Sequence, residues 1–264
     1  MADTHLLTEK KDGAFVITLN RPEKKNAISL EMMKALDEAL DAAAGDREVR
    51  AIIIRGEGTC FCSGIDVNAL AQIGIMGMTG MEFRHLLAKL QAPFNKMEAI
   101  EKPVIALLNC YCFGMGLEMA LAADFRIAEQ GTSIAIQEVE LGLIPDVGGT
   151  TRLTRTVGIP AAKEMIMLAK RIDADRAYEI GLVNEVVPAG GLMDAAMSIV
   201  ERLKGCAPLA VGAAKKIIDR GAHMDKLSLM ELEALAQSTL LGTEDVKEGV
   251  MSKMQKRAPA FKGK

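Results

Sequence analysis

The sequence predicts an α/β fold in which a β-β-α unit repeats as a spiral core, followed by a C-terminal helical segment. Two wholly apolar runs, at 51–54 and 104–108, are typical of strands covered on both faces. Each leads through a small-residue loop towards a helical pattern, and they start roughly 50 residues apart. Beyond Gly149 nearly all of the chain has helical periodicity. This repetition favours a stacked spiral, although a doubly wound sheet shares much of the pattern.

The N-terminal part predicts a strand and then a helix. Residues 10–13 form a turn signal, and the run 14–19 that follows is rich in β-branched residues. The segment 20–22 contains a proline and ends that strand. Ser29 then has the residue type of an N-cap for an amphipathic helix over about 30–44, which Gly45 ends.

The middle of the chain alternates glycine-containing loops with short elements. A small-residue loop over 56–64 precedes a Gly- and Met-rich stretch, 73–81, which we interpret either as a surface loop or as an adaptable wall of a binding pocket. The elements expected next are a helix over about 82–101, the strand 104–108, a loop over 112–116, a helix over 117–123, and strands over 124–128 and 134–136.

The C-terminal part is predicted to be helical, with breaks where glycine and proline cluster at 158–160, 188–191 and 208. We place a boundary near residue 200, between a core over 1–200 and a helical segment over 201–264. A few short helices bury little apolar surface alone, so this segment is expected to pack on the core or on a neighbouring subunit.

Composition disfavours several classes of protein. A net charge of -3 and a pI near 5.8 disfavour binding to nucleic acid, and seven Phe, two Tyr and no Trp offer few rings for base stacking. The sequence has no apolar run of the roughly 20 residues that span a bilayer, and its first residues lack a signal pattern. We therefore expect a cytoplasmic protein that does not enter a membrane.

Five cysteines, an odd number, predict free thiols rather than a disulfide framework. Cys60 and Cys62, like Cys110 and Cys112, have only one residue between them, which is closer than zinc sites favour, so no metal site is expected. None of the three histidines lies in a motif, which disfavours a catalytic triad.

Two loops, at 60–64 and 112–116, point to chemistry. In each, small residues after a buried strand allow backbone N–H groups to face a ligand. Two such loops at successive strand ends could supply two donors to one oxygen that develops negative charge.

Four motifs resemble those of the enoyl-CoA hydratase/isomerase (crotonase) family. They are residues 61–66 (FCSGID), 102–106 (KPVIA) with 114–118 (GMGLE), 137–145 (QEVELGLIP) with the glycine pair 148–149, and Asn20-Arg21-Pro22 with Asn26-Ala27. They occur in the family's order and spacing from about residue 14 to 190. The resemblance implies a crotonase-like spiral that binds an acyl-CoA thioester, with no cofactor beyond the coenzyme A of the substrate.

The resemblance also assigns residues. The amides of Ser63 and Met115 would bind the thioester oxygen, and Met115 replaces the glycine often found there. Glu118 and Glu138 occupy the positions of the two glutamates of hydratases, where one carboxylate activates water and the other carboxyl protonates C2. Without the family, each glutamate would be expected at the surface or in a helix cap.

Asp146 keeps an isomerase open. Many hydratases of the family have glycine there, whereas dienoyl-CoA isomerases carry a catalytic aspartate. A third carboxylate could move a proton between carbons without water. The residue is also suited to be the N-cap of a helix over 149–157. Hydration is the favoured function, an enoyl- or dienoyl-CoA isomerase is its rival, and a non-catalytic acyl-CoA or RNA-binding relative is the alternative from another class.

The remaining assignments by resemblance concern substrate binding and assembly. The expected substrate-binding residues are Ala27, Gly64, Ile65, Asp66, Gly114, Phe261 and Lys262. The last two would act from the C-terminal tail, on the CoA of a neighbouring subunit. The family implies a homotrimer or a hexamer built as a dimer of trimers, which makes the helical segment an oligomerisation element.

Overall fold

The computed structural model describes residues 4–73, 77–221 and 224–264. Its nine strands are β1 (Leu6–Lys11), β2 (Ala14–Leu19), β3 (Ala51–Gly56), β4 (Val104–Leu108), β5 (Tyr111–Phe113), β6 (Phe125–Glu129), β7 (Ser133–Ala135), β8 (Ile172–Asp173) and β9 (Glu185–Val187). Six form a main sheet in the order β1-β2-β3-β4-β6-β9, in which only the β1–β2 pair is antiparallel. β5, β7 and β8 form a smaller sheet.

The ten helices of the described residues surround these sheets. They are α1 (Leu30–Gly45), α2 (Val67–Ile73), α3 (Gly80–Ala99), α4 (Met115–Leu121), α5 (Gly149–Met167), α6 (Ala174–Glu179), α7 (Leu192–Lys204), α8 (Pro208–Gly221), α9 (Lys226–Leu240) and α10 (Glu244–Met254). Short 3-10 turns cover Pro22–Lys24 and Glu138–Leu141. No helix that the structure describes combines the length and apolarity needed to cross a bilayer.

The chain winds as the predicted β-β-α spiral. β4 lies in the main sheet, β5 lies in the small sheet, and α4 follows; β6, β7 and α5 repeat this order. The preceding turn runs from β3 through Cys62, which forms a parallel bridge with Cys112 of β5, towards α2 and α3. Each turn therefore brings the end of a main-sheet strand, a small-sheet segment and a helix start to the same side of the molecule.

The apolar strands behave as their sequence predicts. β4 is buried along its whole length, and β3 is buried at all but one residue, because helices cover both faces of the main sheet. α1 begins after Ser29, whose hydroxyl accepts a hydrogen bond from the Met32 amide at 3.1 Å. Two short strands beyond Gly149, β8 and β9, were not predicted.

The C-terminal third is helical as expected, with a kink in α5 at Gly158. Residue 200 lies inside α7, where Val200 packs on the main sheet. The division of the chain at residue 200 and the oligomerisation role of the segment after it stay predictions. Within the Gly- and Met-rich stretch 73–81, residues 74–76 lie outside the described residues, and Thr79 caps α3.

Candidate active site

One cavity of about 290 Å³ opens between the small sheet, α3 and the loop before α5. The sequence-predicted residues that line it are Ser63, Gly64, Ile65, Gly114, Met115, Glu118, Glu138 and Asp146. The spiral explains this convergence, because residues 63–65 follow β3 and residues 114–118 follow β5. A Cβ added to Gly64 would lie 3.8 Å from the Met115 nitrogen, so the two loops are in close contact.

The main-chain N–H donors of these loops differ in whether they already have a hydrogen-bond acceptor. The Ser63 amide donates to the Lys25 carbonyl at 3.0 Å. Because this amide is already hydrogen-bonded, it is not free to bind the thioester oxygen, contrary to the prediction. Ile28 donates to the Gly64 carbonyl and accepts from the Asp66 amide. Such a parallel bridge points the N–H of the intervening residue, Ile65, to the other side.

The amides of Ile65 and Met115 have no acceptor among the described residues. Met115 is the first residue of α4, and the first N–H groups of a helix have no partner within it. Both residues line the cavity. The unpaired donor in the first loop is therefore the Ile65 amide, two residues after the predicted Ser63.

Glu118 is buried, with 2% of its surface exposed, inside the short helix α4. Its Oε1 accepts hydrogen bonds from the amides of Val147 at 2.9 Å and Gly149 at 2.8 Å. The pKa of Glu118 is raised to about 8, mainly by burial and also by the nearby charge of Glu138. The hydrogen bonds from the two amides act in the opposite direction and lower this pKa. Glu118 is thus held in one orientation, and its carboxyl keeps a proton to a higher pH than that of an exposed glutamate.

Glu138 lies at the start of the 3-10 turn after β7. Its Oε2 is buried and has no hydrogen-bond partner among the described residues. Burial raises the pKa of this carboxyl, and the charge of Asp146 raises it further. Its Oε1 lies 2.8 Å from the position that a Cβ on Gly114 would take, so the carboxylate packs directly on the backbone of the second loop.

Asp146 is half-buried and also lines the cavity, where burial raises its pKa. The N-cap of α5 is Gly148, without a side-chain cap, so the alternative of Asp146 as the cap of that helix is wrong. Glu118 satisfies the amide of Gly149 at the start of α5 instead. Asp146 is therefore a third carboxyl in the same cavity.

The rest of the lining is largely apolar. α3 contributes Phe83, Leu86, Leu87 and Leu90, spaced as one face of a helix, and the segment before α5 adds Leu141, Leu143 and Ile144. No Lys, Arg or His side chain of the described residues lines this cavity. The α3 wall was not predicted, although the spacing of its four residues in the sequence could have revealed it.

Four predicted binding residues do not line the cavity. The Ala27 carbonyl accepts from Arg21, and the Asp66 carboxylate pairs with the same arginine at 2.8 Å. The Phe261 carbonyl accepts from Arg50, and the Lys262 amide donates to Asp245. In this single chain the tail is bound to its own surface, and reach into a neighbouring subunit stays a prediction.

All five cysteines are free thiols, as predicted. Cys62 and Cys112 lie side by side between the two loops, and burial raises the pKa of the Cys62 thiol to about 12. Among the described residues, no group of three or more His, Cys, Asp or Glu side chains is arranged to hold a metal ion. The buried thiols of Cys62 and Cys112 belong to the apolar core and serve there as small packing groups.

Comparison with known proteins agrees with the fold. The pattern of the enoyl-CoA hydratase/isomerase family matches residues 9–264. A short-chain-enoyl-CoA hydratase of Clostridium acetobutylicum is 36% identical over 254 residues, which cover 96% of this chain and 95% of that protein. A 2,3-dehydroadipyl-CoA hydratase of Escherichia coli is 32% identical over 261 residues, covering 99% and 100%. The crystal structure of an enoyl-CoA hydratase from Bacillus anthracis superposes with a TM-score of 0.91 at 34% identity, covering 98% and 100%.

A β-β-α spiral whose loops meet at one cavity with paired glutamates defines the crotonase class of enzymes. Within that class, this chain belongs to the enoyl-CoA hydratase/isomerase family. The resemblance inferred from the four sequence motifs is confirmed.

Proposed function

We propose that this enzyme adds water to the double bond of a 2-enoyl-CoA thioester. The observation that carries the proposal is the meeting of Glu118 and Glu138, both with raised pKa values, in one cavity beside two unpaired main-chain amides. Relatives that cover nearly the whole chain are named as hydratases of enoyl-CoA substrates, which supports this choice of reaction.

The thioester oxygen would accept hydrogen bonds from the amides of Ile65 and Met115. Attack of water at C3 moves electrons onto this oxygen and forms an enolate, which two fixed donors in a partly dry cavity stabilise. The amide of Met115 can donate a hydrogen bond as well as that of glycine. Its side chain is buried in the hydrophobic core and so does not cover the amide.

The two glutamates would move the protons. One carboxylate takes a proton from the attacking water, and the other carboxyl gives a proton to C2. Both are partly desolvated and close enough for the charge of Glu138 to raise the pKa of Glu118. Such neighbours titrate as a coupled pair, so one can hold a proton while the other is ionised, which is the state that the reaction needs.

Isotopic water tests the reaction. A hydratase given a 2-enoyl-CoA in H₂¹⁸O forms a 3-hydroxyacyl-CoA that carries the label, detected by mass spectrometry. Formation of an unlabelled isomer would show that the enzyme is an isomerase and not a hydratase. A protein that turned over no enoyl- or dienoyl-CoA but bound coenzyme A or RNA would instead be the non-catalytic relative.

Double-bond migration is the second candidate, and Asp146 favours it. Its carboxyl faces the same cavity as the two glutamates, with burial raising its pKa. A carboxylate with this placement can take a proton from one carbon of the substrate while a second carboxyl returns a proton elsewhere on the chain. One cavity could therefore support both reactions on different substrates.

The lining indicates an uncharged aliphatic acyl chain as the substrate class. Four acidic side chains and no basic one among the described residues line the cavity, so a terminal carboxylate on the acyl chain would be repelled. The Gln91 side chain binds the Asp146 carbonyl at 2.7 Å, which places the neighbouring Leu90 close to the carboxyls. Phe83 lies about 10 Å further along α3.

A chain-length profile tests this assignment. Phe83→Ala is expected to lower kcat/KM severalfold for an eight-carbon enoyl-CoA while leaving a four-carbon one almost unchanged, because only the longer chain reaches Phe83. Met81→Ala is the control, since Met81 is exposed and does not line the cavity. A faster reaction with an acyl-CoA that ends in a carboxylate would contradict the assignment.

We also propose a homotrimer or a dimer of trimers. No residue of α9 is buried in the single chain, although it exposes the apolar side chains Leu227, Met230 and Leu235. Such a face is expected to be covered by a second copy of the chain. Light scattering coupled to size-exclusion chromatography would measure the number of subunits in the wild-type assembly. The same measurement on Leu227→Glu should show a smaller number of subunits.

A further inference from the structure

We propose that Arg152 is a positioning residue of this site: its guanidinium fixes the 145–149 loop, which in turn orients Glu118 and Asp146. The inference rests on the proposed function. Arg152 lies on the first part of α5, is buried, and does not line the catalytic cavity itself. It would therefore act through the loop and not on the substrate.

The guanidinium joins two parts of the site. Its Nε and Nη2 donate to the two carboxylate oxygens of Glu98 on α3, both at 2.8 Å, and Nη2 also donates to Asn95 at 2.7 Å. Its Nη1 donates to the Val147 carbonyl of the loop at 3.0 Å. Paired bonds between Arg and a carboxylate define the plane of both groups, so α3 fixes where Nη1 points.

The loop is shaped to receive this group. Gly148 has a φ of 101°, which favours glycine, and a Cβ there would lie 1.9 Å from the Arg152 Nη1 and 2.9 Å from its Cζ. The guanidinium consequently packs against the bare backbone of the loop. Any larger residue at this position would have to displace it.

The loop transmits the position to the carboxyls. Arg152 holds Val147 by its carbonyl, while Glu118 Oε1 accepts from the amides of Val147 and Gly149. Asp146 directly precedes Val147, and its own carbonyl is held by Gln91 of α3. A shift of the Val147 backbone would therefore move the donors of Glu118 and the carboxyl of Asp146 together.

Lysine cannot reproduce this arrangement. Arginine offers five donors in a rigid plane, whereas the lysine ammonium is a single point of charge on a flexible stem. Arg152→Lys keeps the positive charge but cannot bind Glu98, Asn95 and the Val147 carbonyl in the same geometry. The substitution thus separates the effect of position from the effect of charge.

The pH profile distinguishes positioning from simple support of the fold. The charged groups around Glu118 are Glu138, Asp146 and, beyond the loop, the pair of Arg152 with Glu98. The loop amides lower the pKa of Glu118, whereas burial and the two acidic neighbours raise it. If the loop moves, the pKa of Glu118 rises, and the limb of the kcat/KM profile that reports it moves to higher pH, whether Glu118 acts as acid or base.

The experiment compares wild type with Arg152→Lys. We expect kcat to fall by about tenfold to hundredfold, the scale of misplacing a catalytic group by up to 1 Å. The Kd of a saturated acyl-CoA, measured by calorimetry, should stay within about threefold, because Arg152 does not line the cavity. Arg176→Gln is the matched control, since it removes an exposed ion pair with Glu179 and should change neither kcat nor the pH profile.

An Arg152→Lys enzyme with wild-type kcat and pH profile, even if less stable to heat, would overturn the inference. Should that variant fail to fold, Glu98→Gln weakens the same anchor and must show the same pH shift. If wild type hydrates no enoyl-CoA, the proposed function fails separately. The titration of the Glu118 carboxyl by ¹³C NMR then decides the inference, and an identical titration in wild type and variant would reject it.

Discussion

Gly114→Ala should disable the enzyme by moving a carboxylate that the substitution does not alter. A Cβ at residue 114 would lie 2.8 Å from the Oε1 of Glu138, closer than such atoms approach in real structures. To restore an ordinary contact of 3.4 Å, the carboxylate must retreat by about 0.6 Å. A displacement approaching 1 Å at a reacting group costs up to about a hundredfold in rate. We expect kcat/KM for a 2-enoyl-CoA to fall by roughly tenfold to hundredfold.

The same substitution also strains the backbone, and a control separates the two effects. Gly114 has φ 49° and ψ -126°, a region that residues other than glycine rarely populate and that costs a residue with a Cβ about 1–3 kcal/mol. That cost corresponds to a fall in Tm of about 2–12 °C in a domain of this size. Gly131, in the turn between β6 and β7, also has a positive φ of 80°, but a Cβ there would meet nothing within 4 Å.

Both alanine variants are expected to lose stability, but only Gly114→Ala is expected to lose most of its activity. The assay follows loss of the ultraviolet absorbance of the conjugated thioester, with Tm measured by calorimetry on the same preparations. If Gly114→Ala retained the kcat/KM of Gly131→Ala, the contact between the second loop and Glu138 would have no part in catalysis. The assignment of Glu138 would then lose its main structural support.

Three further substitutions test individual carboxyls. Glu138→Gln should lower turnover by about a hundredfold or more while calorimetry shows that acyl-CoA still binds, and full activity would reject its catalytic role. Asp146→Asn should leave hydration mostly intact but reduce double-bond migration, and equal losses in the two assays would contradict that division. Glu118→Gln tests how the raised pKa of Glu118 affects stability. In wild type this pKa is about 8 in the folded state, against a normal value of 4.5. The contribution of Glu118 to the free energy of unfolding therefore declines as pH rises between these two values. The gain in unfolding free energy of Glu118→Gln over wild type, from urea titrations, should be larger at pH 8 than at pH 5, and an equal gain would show that the pKa is not raised.

The elements that could be predicted from sequence are those whose environment is uniform along their length. β2 and β4 have the predicted bounds because both are wholly buried and wholly apolar or β-branched. β1 was not predicted because it lies at the edge of the sheet, where five of its six residues are exposed and its charged side chains resemble a turn. β8 and β9 have only two and three residues, too few to show a period of two.

The motifs predicted which segments meet, but not which N–H group faces the cavity. Ser63 and Ile65 belong to the same short loop, and only the pairing of that loop with Ile28 and Lys25 decides which amide is left unpaired. Sequence spacing carries no information about that pairing. Likewise, the glycine at residue 148, not Asp146, caps α5, because the positive φ of that residue determines where the helix begins.

The groups that the fold leaves unpaired indicate what the cavity is built to hold. Buried polar atoms are nearly always hydrogen-bonded, because leaving one unpaired costs free energy. Here, among the described residues, two N–H donors at Ile65 and Met115 and one acceptor, the Oε2 of Glu138, remain without a partner around a single cavity. Under the proposed function, a thioester carbonyl would supply the missing acceptor for both amides, and a water molecule beside it would supply the missing donor for the carboxylate. A ligand with a carbonyl alone would satisfy only the amides, so the unpaired carboxylate oxygen is the feature that favours hydration over simple acyl-CoA binding.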